Sequence, residues 1–96
     1  MSVYMVANIT IDDRDEYARY EAGFLDAFAK FDGTLLAVDD AQRTVEGEWP
    51  HTRTVLIEFP TDEAVREFYD SPEYQAIVVH RHAAARADIA IVSGFG

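Results

Sequence analysis

No cysteine occurs in the chain, which excludes disulfides, thiolate metal sites and a thiol nucleophile. That absence fits a reducing compartment, and we expect a cytoplasmic protein. Lysine is nearly absent too: Lys30 is the only one, and the other seven of the eight basic residues are arginines. Glycine is limited to five residues scattered singly, so no glycine-rich phosphate-cradling loop is present. No stretch approaches the ~20 apolar residues of a membrane span. The start Met1-Ser2-Val3-Tyr4 has neither a basic segment nor a long apolar run, so no signal peptide is expected. Positive charge is scarce overall, with 18 acidic residues against 8 basic and a net charge of −10. Such a chain repels phosphate backbones, which argues against nucleic-acid binding. The acid-rich, lysine-poor balance suits a salt-rich cytoplasm and a GC-rich coding bias equally well.

What is present is enough for one domain. A chain of 96 residues has no room for a second core and buries roughly 60–65% of its unfolded surface. Val3 to Ile11 reads as a strand with apolar residues on both faces. Val3, Met5, Ala7, Ile9 and Ile11 lie on one, and Tyr4 and Val6 on the other, so both faces need cover. Asp13 follows as an N-cap with Glu16 three residues on, a capping-box spacing. The helix it opens, about Arg14 to Phe31, carries the stripe Tyr17, Tyr20, Phe24, Phe28 and Phe31 at helical spacing. Gly33 stands where a left-handed C-cap residue belongs.

Thr34 to Val38 reads as a second strand, Asp39-Asp40 as a turn and Arg43 to Glu46 as a short further strand. Gly47-Glu48-Trp49-Pro50 is a loop by its glycine and proline. Arg53 to Phe59 alternates Val55, Ile57 and Phe59 with Thr54, Leu56 and Glu58. A helix from about Asp62 to Asp70 buries Val65, Phe68 and Tyr69. Ser71 then caps another, with Pro72 at its first position, where no backbone donor is needed. This last helix presents Tyr74, Ile77, Val78, Arg81 and Ala85 along one side, and Asp88 to Ser93 closes the chain as a strand. The order β-α-β-β-αα-β predicts an α+β, ferredoxin-like βαββαβ protein with its second helix broken in two, packed on one face of an antiparallel sheet. The other face would stay apolar and wet in a lone subunit, so a homodimer packing sheet on sheet is expected.

Arg81 is the sharpest chemical anomaly. Its helical face is apolar, and a guanidinium there keeps its proton and needs an acceptor. Glu58, on a strand otherwise apolar, is the expected partner. Three readings stand: a structural pair that pins the helix to the sheet, an anion or carbonyl site at Arg81, or an arginine that snorkels to the surface. Tyr17 and Tyr20 sit near the start of the first helix, with Tyr69 and Tyr74 beside the helix break; all four phenols read as packing residues or as a pocket lining. His80 and His82 diverge by about 200° on a helix and cannot share one metal, and His51 is in a loop, so no metal site is expected. Neither Ser71 nor Ser93 has a paired base. Trp49, beside Pro50, is the expected dimer anchor.

Several motifs occur together in a familiar order: Asp13-x-x-x-Tyr17-x-x-Tyr20, Phe31-Asp32-Gly33, Glu46-Gly47-x-Trp49-Pro50, Ile57-Glu58-Phe59-Pro60, Tyr69-Asp70-Ser71-Pro72-Glu73-Tyr74-Gln75, Arg81 and Val92-Ser93-Gly94. In this the chain resembles domain-of-unknown-function family 1330, of the dimeric α+β barrel superfamily. The resemblance spans nearly the whole chain, and Ser-Pro-Glu-Tyr-Gln after Glu-Phe-Pro is its most specific part. It implies a ferredoxin-like subunit and a dimer whose two sheets form a barrel, and no particular activity. The chain departs from the pattern at Asp32, where glycine is usual, and at Asp39-Asp40, which replaces an arginine-glycine turn. Ser93 replaces an acid near the end of the last strand.

The expected function is binding of a small carboxylate or enol-type molecule between helices and sheet, without a cofactor. Tyr17, Tyr20, Tyr69 and Arg81 would be the contacts, and Glu58 would orient Arg81. The alternatives are a cofactor-free oxygenase or isomerase, for which Glu58 is the one base to name, and a purely structural dimer. Paired with Arg81, Glu58 would be a weak base.

Overall fold

A computed structural model describes residues 1–95. The apolar alternation of the first segment produces β1 (Val3–Ile11), whose odd positions from Val3 to Ile9 are buried while its even positions are only half covered. Asp13 turns the chain into α1 (Arg14–Phe28) by accepting the Glu16 N–H at 3.1 Å. β2 (Thr34–Asp39) and β3 (Arg53–Phe59) follow. Thr61 caps α2 (Asp62–Tyr69) by accepting the Ala64 N–H. Ser71 caps α3 (Pro72–Ala84), accepting the Tyr74 N–H at 3.1 Å while its own hydroxyl donates to the Phe68 carbonyl at 2.7 Å. Serine and proline together therefore restart the helix almost without a loop. β4 (Ala85–Ser93) ends the fold.

The strands lie in the order β2-β3-β1-β4, every neighbouring pair antiparallel. With the helices on one side, this is the ferredoxin-like α+β fold. The Cα envelope is 34 × 31 × 16 Å, and the short dimension is one sheet plus one helical layer. Between those layers Phe68 makes ring contacts with Phe24, Phe28, Phe31, Phe59 and Tyr74 at centroid distances of 4.6–6.0 Å. Offset and edge-on geometries of this kind suit the aromatic quadrupole.

Four local expectations change. α1 stops at Phe28, because Lys30 and Phe31 donate to Ala27 and Phe28 in tighter turns that swing Phe31 onto Phe68. Gly33 is not left-handed; Gly47 alone among the described glycines has positive φ. Glycine is needed at 33 for space, since a Cβ there would stand 2.5 Å from the Phe28 ring and 2.9 Å from that of Phe59. Residues 43–46 form no strand. Residues 40–52 instead form a loop tied down by side chains, as in Gln42 to Thr54 at 3.1 Å. β4 begins at Ala85, because β1 extends to Ile11 and offers partners that far.

Candidate functional site

Strand alternation places Met5, Ala7, Ile9, Val55, Ile57 and Ile89 on the helix side of the sheet, and the first turns of α1 and the body of α3 lie above them. They do not close completely. A cavity of about 230 Å³ remains between α1, α3 and the sheet, roofed by Tyr17, Tyr20, Phe24, Tyr74 and Arg81. It extends from Ile89 on β4 across to Leu35 and Val38 on β2.

Arg81 is 4% exposed. Its guanidinium carbon lies 5.7 Å from the centre of the Tyr20 ring, a cation–π distance. Its Nε is buried and has no hydrogen-bond partner among the described residues. Burial pulls its pKa down, and the neighbouring Tyr74, Tyr20 and Tyr69 outweigh that, leaving it raised and the group charged. Among the described residues the groups that act on this cation are phenols, not carboxylates. An arginine buried without a counter-charge is costly, and an anion supplied from outside would relieve it.

The hydroxyls of Tyr20 and Tyr74 approach to 2.8 Å in a buried contact. Burial, then the neighbouring Tyr74, push the Tyr20 pKa far above the ordinary phenol value. Tyr20 is therefore a neutral hydrogen-bonding group at any physiological pH and not a base.

A second arginine stands in the cavity wall with the opposite character. Arg53 donates from Nε and Nη2 to the two oxygens of Asp40 at 2.6 and 2.9 Å, and from Nη1 to Glu21 at 2.8 Å. Its guanidinium also covers the Tyr17 ring, 5.1 Å from the centroid. The Asp40 hydrogen bonds, against the opposing effect of burial, hold Arg53 charged, and Arg53 in turn draws the Asp40 pKa down. Burial pushes the Tyr17 pKa up. Arg53 thus ties α1 to the β2–β3 loop at the side of the cavity, its charge already matched.

The expected Arg81–Glu58 pair does not form. Glu58 stands opposite Tyr4 and Thr34 in the strand register, on the sheet face away from the helices, while Arg81 comes down from α3 onto the helix side. Alternation along β3 forces this, since Ile57 and Phe59 take the core face. The catalytic alternative thereby loses its one named base. Among the described residues Glu21 is the carboxylate of the cavity wall, and it is bonded to Arg53. Tyr17, Tyr20 and Arg81 are brought together at the cavity, whereas Tyr69 stands behind Tyr74, ring centres 5.3 Å apart, and does not line it. Tyr74 does line it. Arg53 was missed; its signal was an arginine on the alternation of a core strand, together with the acidic turn at Asp39-Asp40. His80 is half-buried, with Nδ1 2.6 Å from Glu16 on α1. Trp49 is exposed in the β2–β3 loop, its ring edge-on to that of His51.

Residues 2–95 match the family model described as Domain of unknown function (DUF1330). The chain belongs to the DUF1330 family. No curated protein matches it. Among solved structures it is similar to a protein of unknown function from Rhodopseudomonas palustris, with TM-score 0.84 and 17% identity over 99% of this chain and 83% of that one. It is also similar to SnoaB, a cofactor-independent oxygenase from Streptomyces nogalater, with TM-score 0.70 and 14% identity over 99% and 94% of the two chains. A dimeric ferredoxin-like protein of unknown function from Thermobifida fusca matches with TM-score 0.70 and 11% identity over 98% and 92%. At these identities the likeness concerns the fold. This DUF1330 chain thus shares its architecture with an oxygenase and with proteins of unknown function.

Proposed function

We infer that this chain binds a small carboxylate or enolate in the cavity between α1, α3 and the sheet, with Arg81 as the counter-charge. The observation that carries the reading is the buried Arg81 Nε without a partner, in the wall of an otherwise largely apolar cavity of about 230 Å³. The volume is below the usual range for drug-sized ligands and suits a molecule with about one ring. The anion would take the free Arg81 donor, and the Tyr20–Tyr74 pair would donate a further hydrogen bond to it. Tyr17 and the Phe24 ring would flank its apolar part. Arg53 plays no direct part in neutralising it, because Asp40 and Glu21 already match its charge. The cavity itself favours a ligand over a purely structural dimer.

The single domain would work as a homodimer. Tyr4, Val6 and Leu56 are only half covered on the open sheet face, and Val92 and Leu36 are 48% and 49% exposed. A second copy packed sheet on sheet would cover them, and the Thermobifida fusca protein of the same fold is described as dimeric. Trp49 would meet the partner from the β2–β3 loop. The cysteine-free, acidic chain would act in the cytoplasm, and among the described residues no helix is long and apolar enough to cross a membrane.

Titration calorimetry with benzoate and a small enolic acid tests the site. Wild type is expected to bind, and Arg81→Met to bind at least tenfold more weakly (about 1.4 kcal/mol per tenfold). Equal binding by both folded proteins would take Arg81 out of the site.

A further inference from the structure

The cavity does not end at the helical layer. Its wall includes Leu25 of α1 and Leu35 and Val38 of β2, and these side chains are also open to solvent, with Leu25 62% and Val38 51% exposed. Leu35 and Val38 pair in register with Ile57 and Val55, so they face the helix side of the sheet. α1 leaves the edge strand β2 largely uncovered there, and the gap between them is an apolar mouth. The charged cluster of Arg53, Glu21 and Asp40, one guanidinium bonded to two carboxylates, borders this mouth on one side.

The two ends of the cavity therefore differ in chemistry. Beneath α3 lies an unmatched cation, and at the β2 edge lies an open aliphatic rim. From Ile89 on β4 to Leu35 and Val38 on β2 the cavity floor crosses three interstrand spacings, about 14 Å, so a molecule that follows this floor to the rim is elongated. A second copy on the open sheet face would not reach the rim, because Leu35 and Val38 point to the opposite face from Leu36. The rim is continuous with the cavity wall, so a molecule held in the cavity can extend onto it.

Resting on the reading of Arg81 as the anion site, we propose that the ligand class is an amphipathic acid. Its carboxylate sits on Arg81 beside Tyr20 and Tyr74, and its flexible aliphatic tail runs under α1 and leaves between Leu25, Leu35 and Val38. The tail is covered on one side by the sheet and on the other by Phe24.

Calorimetry with the straight-chain acids from butyrate to dodecanoate, each kept below its micelle concentration, tests this. Affinity is expected to rise by about fourfold per added methylene and to level off once the tail passes the rim. Leu25→Asp is expected to flatten that series, and the methyl resonances of Leu25, Leu35 and Val38 to shift with decanoate and not with butyrate. Benzoate and butyrate binding without any gain along the series would overturn the tail and leave the Arg81 reading standing. No binding of any acid by the folded protein would overturn both. A Leu25→Asp protein that keeps the full gain but changes its sedimentation mass would assign the rim to a second copy, and the proposal would fall.

Discussion

Tyr20 on α1 and Tyr74 on α3 meet hydroxyl to hydroxyl at 2.8 Å inside the helical layer. Only one of the two can donate to the other, so one O–H remains for a third group. That geometry makes the pair both a clamp between two helices and a hydrogen-bond donor to whatever occupies the cavity. Removing one hydroxyl is expected to strand the other in a buried setting, costing about 1–2 kcal/mol for Tyr20→Phe or Tyr74→Phe alone. The double variant should cost less than the sum, with a coupling of about 0.5–1.5 kcal/mol in a urea-denaturation cycle. Strict additivity would show that the two groups act separately.

Arg81 sets stability against binding. Replacing a buried, unmatched guanidinium by an apolar side chain of similar length relieves its desolvation. Arg81→Met is therefore expected to unfold at a temperature higher by about 4–8 °C, the shift that corresponds to about 1 kcal/mol in a domain of this size, while losing acid binding. A lower midpoint in thermal denaturation without ligand would mean that the guanidinium is already well satisfied.

Asp40 should make stability depend on acid. Its hydrogen bonds with Arg53 lower its pKa in the folded protein below the model-peptide value of 3.8. The unfolded chain then binds the proton first, so the contribution is complete above that value and is lost as the pH falls through the folded one. Asp40→Asn is expected to lower stability by about 1 kcal/mol near neutrality, a modest figure for a partly exposed pair. The gap to wild type should close below about pH 4. Denaturation midpoints measured across that range decide it, and a gap that persists unchanged into acid would point to packing instead of charge.

The open sheet face predicts an association that charge disrupts. Val92 is 48% exposed in one protomer, so Val92→Lys should leave an isolated subunit within about 0.5 kcal/mol of wild type. Packed against a second sheet, the same ammonium would be desolvated. Sedimentation is expected to show dimer for wild type and a shift toward monomer for the variant. A wild-type protein that sediments as a monomer at micromolar concentration would remove the sheet-on-sheet assembly.

Much of the architecture was legible because it is local. The odd positions of β1, the Asp13 and Ser71 caps and Pro72 act within a few residues of themselves, and their signals are written side by side in the chain. Gly33 shows where that legibility stops. Its position after a helix predicts left-handed backbone, yet its requirement comes from the rings of Phe28 and Phe59, one of them on a distant strand. The expected strand at residues 43–46 failed for a related reason, because a strand exists only where it pairs, and this segment is held to β3 by side chains such as Gln42 on Thr54 instead.

The sequence by itself determined the element order, the helix break, the apolar sheet faces and the presence of a cation on a buried helical face. Only the tertiary structure decided which groups meet that cation. Pairing β3 with β1 sends Glu58 to one side of the sheet, packing α3 on α1 brings Tyr74 to Tyr20, and the loop after β2 delivers Asp40 to Arg53. Partner choice of this kind depends on contacts between residues far apart in sequence, where strand register and helix placement set distances that composition and spacing do not contain.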